Sequence, residues 1–288
     1  MPTQPLLLAG LAAAVTGLGS IGWMAFDLTS QAGAGERPSL LDLLDDIGKP
    51  GADAPPSPAT TTAPPPARVA WQSPLREQCT APQTVQRQHL LSRLNELRTA
   101  PRQVSIDPTN FGERFNRDAF GNPLDPTPRL VVLHETVYSL ESAISTFRTP
   151  HPRDEDQVSY HALVGRDGEV VFLLDPRKRA FGAGNSAFNG QWVVTNPSVG
   201  GSINNFALHL SLETPIDGEN NAPRHSGYTS AQYDAMAVVL ADWMQRFQIP
   251  ADHITTHRHV DLGMERADPR SFDWQALQVR LAALGVLC

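Results

Sequence analysis

A proline-rich segment between residues 50 and 66 separates this chain into two unlike parts. Seven of the 25 prolines in the chain fall within these residues, among alanines and threonines. Such a segment has too few large apolar side chains to build a packed core, and it favours an extended, partly polyproline conformation. We therefore predict a linker over residues 27–68 and a folded domain over residues 69–288.

The first 26 residues carry no charged side chain. Pro5–Phe26 is apolar and long enough to span a bilayer, which requires roughly 20 residues. Two interpretations stay open: a transmembrane anchor with the amino terminus in the cytosol, or a signal peptide cleaved near the small residues that follow Gln31. Both predict an exported domain, located in the periplasm or cell envelope, and the first predicts anchoring in the inner membrane.

Composition excludes several classes of protein. The net charge is -7 and no basic block is present, which excludes nucleic-acid binding through phosphate contacts. Two cysteines are too few for a zinc site made of four thiolates. Cys79 and Cys288 bracket the predicted domain, and export would allow a disulfide between them; two free thiols are the alternative.

Helical and strand patterns alternate along the domain. Apolar residues recur at helical spacing in three segments, and a fourth short segment also suits a helix. Short apolar or alternating runs predict strands, two of them joined in a hairpin by an Asp-Gly turn. The predicted helices are 84–99, 140–147, 229–247 and 273–284, and the strands are 129–134, 160–164, 169–174 and 206–212. This order predicts an α/β fold with a mixed central β-sheet flanked by helices.

Three residues could form a metal site. His134 ends an apolar strand, His257 follows a short run after the long helix, and Asp268 lies in a loop further on. Two imidazoles and one carboxylate are a ligand set of catalytic zinc sites, in which the fourth position stays open. Any one of these histidines is more often a buried structural residue than a metal ligand. Spacing alone therefore leaves open whether the three residues bind a metal.

The stretch from about Arg129 to Trp274 resembles the zinc-dependent N-acetylmuramoyl-L-alanine amidases of the type-2 amidase and peptidoglycan recognition protein superfamily. Segments similar to that family's occur in the same order. They are VVLHET, SYHALVGRDGEVV, AFGAGNS, TSAQYDAMAVVLADWM, THRHVD and ERADPRSFDW. The resemblance covers about half of the chain.

The resemblance implies that Zn²⁺ is bound by His134, His257 and Asp268. His259 is the alternative in its loop, because a ligand-x-Asp pattern fits His259 and Asp261. We prefer His257, since its place at a strand end would fix the ring better. Histidines outside these motifs, such as His225 in a glycine-rich loop, are expected to have no role.

The resemblance also implies catalytic roles for Tyr160 and Arg266. Tyr160 occupies the place of a tyrosine that assists catalysis in some members, and the adjacent His161 would line the site without binding metal. Arg266 stands where the family commonly has a lysine. It retains a positive charge that could stabilise an oxyanion, but it cannot act as an acid near neutral pH.

The general base is left open by two further departures. The family often has a glutamate in its middle strand, where this chain has Ser211, with Glu213 two residues on and His209 two residues before it. The candidates are Glu213, His209 and a water oriented by Tyr160. Gly182 replaces the family's usual histidine, a change expected to alter substrate contacts rather than the metal.

The function implied is zinc-dependent hydrolysis of the amide between N-acetylmuramic acid and L-alanine in peptidoglycan. Its partners would be peptidoglycan or muropeptides, together with a membrane through the N-terminal segment. A non-catalytic muropeptide-binding domain is the alternative, favoured by the missing glutamate and lysine. A purely structural envelope protein would need no metal.

Overall fold

The computed structural model of the protein describes residues 62–288. The predicted membrane-spanning or signal segment and most of the predicted linker lie outside these residues. Within residues 62–288, none of the helices is both long enough and apolar enough to cross a membrane.

The described residues form a mixture of helices and strands, as the sequence patterns predict. The helices are α1 (Val85–Thr99), α2 (Leu140–Arg148), α3 (Ser230–Phe247), α4 (His257–Val260) and α5 (Trp274–Leu284). The strands are β1 (Arg102–Gln103), β2 (Phe111–Glu113), β3 (Leu130–Glu135), β4 (Ala162–Val164), β5 (Val170–Phe172), β6 (Lys178–Ala180), β7 (Val193–Asn196), β8 (Gly200–Ser202), β9 (Ala207–Leu212) and β10 (Ile254–Thr256).

Six strands form a mixed central sheet in the order β1-β5-β4-β9-β3-β10. Strands β4, β9, β3 and β10 run parallel, and β5 is antiparallel to β4 in the predicted hairpin. Every residue of β3 and β9 is buried, which is typical of central parallel strands covered on both faces. The predicted α/β fold with a mixed sheet is confirmed.

Helices cover both faces of this sheet. Alternate residues of β3, such as Val131 and Leu133, pack with α1, α3 and α5 in the larger core. The side chains of α2 pack against Leu163 and Val171 on the opposite face. Helix α3 begins with the predicted capping box, in which Thr229 and Gln232 satisfy each other's backbone amides.

The parallel strands end at a common edge, and their register brings polar residues together there. His134 of β3 lies directly opposite Ser211 of β9. Leu133 lies opposite Thr256 at the end of β10, so His257 follows beside His134. This edge therefore collects side chains from three separate parts of the sequence.

A disulfide joins Cys79 to Cys288, as predicted. The adjacent residues also pair, since the amide of Gln78 donates to the carbonyl of Leu287 at 2.6 Å. The bond closes a loop between residues 209 positions apart, and both cysteines are exposed. The two ends of the folded domain are thus held together.

We expect the Cys79→Ser/Cys288→Ser variant to lose about 5 kcal/mol of unfolding free energy, the chain-entropy estimate for so long a loop. Urea denaturation of the domain would measure the loss. A reducing agent should lower the stability of the parent protein by the same amount and leave the double variant unchanged. If the reducing agent left the stability of the parent protein unchanged, the expectation would be contradicted.

Candidate metal centre

The three predicted ligands lie together at the carboxyl ends of the parallel strands. One donor atom from each of His134, His257 and Asp268 lies within 4.8 Å of the others. Nδ1 of His134 is 3.3 Å from Asp268 Oδ2, and Nδ1 of His257 is 3.1 Å from Asp268 Oδ1. The sequence places these residues up to 134 positions apart, and the fold brings them to one point.

Each predicted ligand is held in place by the neighbouring structure. His134 is the penultimate residue of β3 and is fully buried. His257 follows β10 directly and begins α4. The amide of Arg258 donates to the carbonyl of Asp268 at 3.0 Å, which ties the Asp268 loop to the same helix.

The geometry fits a metal better than a hydrogen-bonded cluster. Nδ1 of His134 is buried and has no hydrogen bond of acceptable geometry among the described residues, although Asp268 is close. A buried unpaired nitrogen is unfavourable unless something else binds it. Two imidazoles and a carboxylate facing a shared point are a suitable donor set for Zn²⁺, with a fourth position left for water or substrate.

The electrostatics of the cluster keep the ligands in the forms that bind metal. Burial is the main cause that lowers the pKa of His134, to about 4. Burial alone would raise the pKa of Asp268, but contacts with His134 and His257 bring it well below its usual range. The imidazole of His134 is therefore neutral and the carboxylate ionised near pH 7, as metal binding requires.

His259 does not join the cluster. Its Nδ1 contacts the hydroxyl of Thr256, and its ring packs against Trp71 with centroids 4.4 Å apart. The structure thus favours His257 over His259 as the second ligand.

Tyr160 lies directly against the cluster. Its ring stacks on His134, with centroids 4.4 Å apart and an angle of 24° between the planes. Burial, with the charge of Asp268, raises the pKa of Tyr160. Its phenol therefore stays protonated near neutral pH and can donate a hydrogen bond.

Arg266 is exposed on the loop that leads to Asp268. The carboxylate of Asp261 shapes this loop by accepting from the amides of Gly263, Glu265 and Arg266. Burial is the main cause of the lowered pKa of His134, and the positive charge of Arg266 is a minor one. Its guanidinium forms no hydrogen bond with another described residue, so it remains available to a ligand.

Glu213 is engaged elsewhere. Its carboxylate accepts from the amide of Arg166 at 3.0 Å, in the turn between β4 and β5. Its carbonyl accepts from the side chain of Gln232 at 2.9 Å. The structure brings His134, His257, Asp268 and Tyr160 together, but it directs the carboxylate of Glu213 toward the turn.

His209 and Ser211 share the face of β9 that His134 occupies on β3. Nδ1 of His209 lies 3.0 Å from Nε2 of His134, and both rings are fully buried. The hydroxyl of Ser211 is buried and has no hydrogen-bond partner among the described residues. Gly182, which replaces the family's usual histidine, lies against His209, and His209 in turn contacts His134.

The sequence analysis missed a buried network around Glu135, the residue after His134. Its carboxylate accepts hydrogen bonds from the Tyr228 hydroxyl and from the backbone and guanidinium of Arg270, and His225 Nε2 lies 3.0 Å from it. Because Arg270 is two residues after Asp268, this network ties the Asp268 loop to β3. The available signal was an acidic residue in an apolar strand, which requires partners when buried.

The guanidinium of Arg270 extends the network by donating to three main-chain carbonyls. These belong to Gly218, Asn220 and Ala222. The side chain of His225 is fully buried beside Glu135. His225 thus supports the loop instead of binding metal.

The chain is similar to known amidases. Residues 124–271 match the family model Amidase_2, described as N-acetylmuramoyl-L-alanine amidase. The 1,6-anhydro-N-acetylmuramyl-L-alanine amidase AmpD of Citrobacter freundii is 30% identical over 171 residues, which cover 59% of this chain and 73% of that protein. The AmpD of Enterobacter cloacae is 33% identical over 126 residues, covering 43% of this chain and 57% of that protein.

A solved structure is also similar. The crystal structure of a selenomethionine derivative of AmpD has 25% sequence identity and a TM-score of 0.45. The match covers 61% of this chain and 91% of that one.

We expect His161 to make the domain sensitive to acid. Its Nδ1 accepts from the amide of His209 at 3.0 Å, and burial, with the charge of Arg114, lowers its pKa to about 3. The unfolded chain binds a proton below about pH 6.5 that the folded chain does not bind, so stability falls as the pH falls. Protonation of this single group should lower the free energy of unfolding by about 3 kcal/mol between pH 7 and pH 4.

Urea unfolding with a chelator present, at pH 7, 5.5 and 4, would measure this dependence without a contribution from metal loss. The matched variant is His161→Asn, whose amide oxygen can accept the same hydrogen bond but does not titrate in this range. It should show a smaller decrease. Equal decreases in both proteins would contradict the assignment to His161.

Proposed function

Because the chain belongs to the N-acetylmuramoyl-L-alanine amidase family, we propose that it hydrolyses the amide between N-acetylmuramic acid and L-alanine in peptidoglycan, with a zinc ion held by His134, His257 and Asp268. The chain spans 57% of the length of the Enterobacter relative. The substrate of this chain is therefore proposed together with the reaction. The observation that carries the proposal is the unpaired Nδ1 of His134, which faces the carboxylate of Asp268 in a buried cluster.

The residues around the cluster suit hydrolysis of an amide. When bound, zinc supplies Lewis acidity toward the carbonyl and lowers the pKa of water. In this proposal Arg266 stabilises the negative charge that develops on the carbonyl oxygen. The protonated phenol of Tyr160, stacked on His134, can orient water or donate a hydrogen bond at the reacting centre.

The general base is one of the three candidates that the sequence suggests: Glu213, His209 or a water oriented by Tyr160. The contact between Glu213 and the Arg166 amide favours a role for this carboxylate in holding the turn. His209 is fully buried behind His134, away from an approaching substrate. A water oriented by Tyr160 is the candidate that best fits these positions.

We further propose that the domain acts outside the cytosol, in the periplasm or cell envelope, on peptidoglycan or its muropeptide fragments. The apolar segment Pro5–Phe26 and the proline-rich linker support export, with either a membrane anchor or a cleaved signal. The disulfide between Cys79 and Cys288 adds support, since such bonds persist in oxidising compartments.

A second candidate function is binding of muropeptides without cleavage. It is favoured by Ser211, which stands where the family often has a glutamate, and by the engaged carboxylate of Glu213. Such a domain would keep its metal and groove but would release no product.

We expect the purified protein to contain about one zinc ion per chain and to release free stem peptides from cell walls and from 1,6-anhydro-muropeptides. The His134→Ala variant should lose the zinc, and kcat/KM should fall roughly a thousandfold or more, since several kcal/mol of transition-state stabilisation are removed. Metal analysis and chromatography of released peptides would measure both effects.

The control is His89→Ala, which removes an exposed histidine of α1 and should keep zinc and activity. Zinc bound at this stoichiometry without any cleavage would support the binding domain instead. A chain that binds no zinc would overturn both the metal site and the proposed reaction.

We expect Arg266→Ala to lower kcat about 100-fold, the effect typical of losing one group that stabilises an oxyanion. KM should change less, because the charge acts mainly on the transition state. Arg266→Lys should keep most of the activity. Steady-state kinetics on a muropeptide would measure these changes, with the exposed Arg246→Ala on α3 as control. Unchanged kcat in Arg266→Ala would remove this residue from the mechanism.

A further inference from the structure

His209 lies on β9, next to β3, with its ring directed at the ligand His134. Nδ1 of His209 is 3.0 Å from Nε2 of His134, the ring nitrogen that does not face Asp268. Both side chains are fully buried. The contact therefore joins two imidazoles behind the metal centre, on the side away from solvent.

The donor and acceptor of this contact follow from the proposed metal site. His134 would bind metal through Nδ1, which must then carry no proton, so the proton of the neutral ring is on Nε2. The Nε2–H of His134 therefore donates, and Nδ1 of His209 accepts. Metal-binding histidines commonly donate their second N–H in this way, which fixes both the tautomer and the orientation of the ring.

We propose that His209 is a positioning residue for the metal centre, which holds His134 in the tautomer and orientation that bind zinc. The inference rests on the proposed function, because it assumes that His134 is a ligand. It assigns to His209 a role in metal affinity instead of proton transfer to or from substrate.

The surroundings fix His209 itself. Its backbone amide donates to Nδ1 of His161 at 3.0 Å, and the two rings are stacked with planes 8° apart. Gly182 leaves the space for the ring, because a Cβ atom at this position would lie only 2.4 Å from Nδ1 of His209. The His209 ring therefore requires a glycine at position 182. The replacement of the family's usual histidine by Gly182 is thus explained by the contact between His209 and His134.

The other nitrogen of His209 argues against a merely structural role. Nε2 is buried and has no hydrogen-bond partner among the described residues. If Nδ1 accepts, Nε2 carries the proton, and an unpaired buried N–H lowers stability. An apolar side chain of similar size would avoid this loss, so packing alone does not account for histidine here.

The test compares His209→Leu with His209→Asn. Leucine removes the acceptor, whereas the amide oxygen of asparagine can occupy the place of Nδ1. We expect His209→Leu to weaken zinc binding 10- to 100-fold, the range typical for loss of such a partner. His209→Asn should recover most of the affinity. Competition with a chromophoric chelator would measure zinc affinity, and the melting temperature of the metal-free proteins would report structural effects.

Loss of zinc affinity in His209→Leu with an undiminished metal-free melting temperature, and its recovery in His209→Asn, would support the proposal. Equal zinc affinity in the parent protein and His209→Leu would overturn it. A parent protein that binds no zinc would show instead that the proposed function has failed, which keeps the two failures distinct.

A second route tests the same contact if His209→Leu does not fold. Gly182→Ala should displace the His209 ring and weaken zinc binding in the parent protein. In a His209→Ala background, which removes the clash and the acceptor together, the added Gly182→Ala should cause no further loss. Additive losses in the two variants would show that Gly182 acts independently and would overturn the proposal.

Discussion

The parallel alignment of β10, β3 and β9 is the constraint on which the proposed metal centre depends. Residues opposite one another in a parallel pair point to the same face, so the register determines which side chains meet at the end of the sheet. Leu133 opposite Thr256 and His134 opposite Ser211 set this arrangement. A shift of one residue in either pairing would turn polar side chains to the opposite face of the sheet, and a shift between β3 and β10 would separate His134 from His257.

The position of the third proposed ligand depends on a different interaction, because Asp268 lies in a loop. The loop is attached to β3 through Arg270 and Glu135, and to α4 through the Arg258 amide. Glu135 is 9% exposed, and a carboxylate so buried needs partners to offset its lost hydration. Because the buried carboxylate of Glu135 needs Arg270 as a partner, the loop that carries Asp268 is held close to β3. Asp268 is thereby fixed relative to His134, which precedes Glu135 in the sequence.

Local patterns were enough to predict most of the fold and to single out the three residues of the cluster, His134, His257 and Asp268. The β4–β5 hairpin, the capped helix α3 and the apolar strand ending in His134 each depend on neighbouring residues and could be found in a single sequence. The network of Glu135 could not, because its partners His225 and Arg270 are 90 and 135 positions away. Spacing alone also could not separate His257 from His259; that needed the packing of Trp71 against His259.

Three buried polar atoms without hydrogen-bond partners lie along one strip of the sheet: His134 Nδ1, His209 Nε2 and Ser211 Oγ. Each such atom lowers stability, and a sequence selected only for a stable core would not keep three of them on neighbouring strands. The residues that pack beside them on β3, such as Leu130 and Val132, are fully apolar and fully buried. The polar strip runs from His209 in the middle of β9 to the carboxyl ends of β3 and β9, where the proposed metal and its supporting imidazole give it a chemical reason to persist.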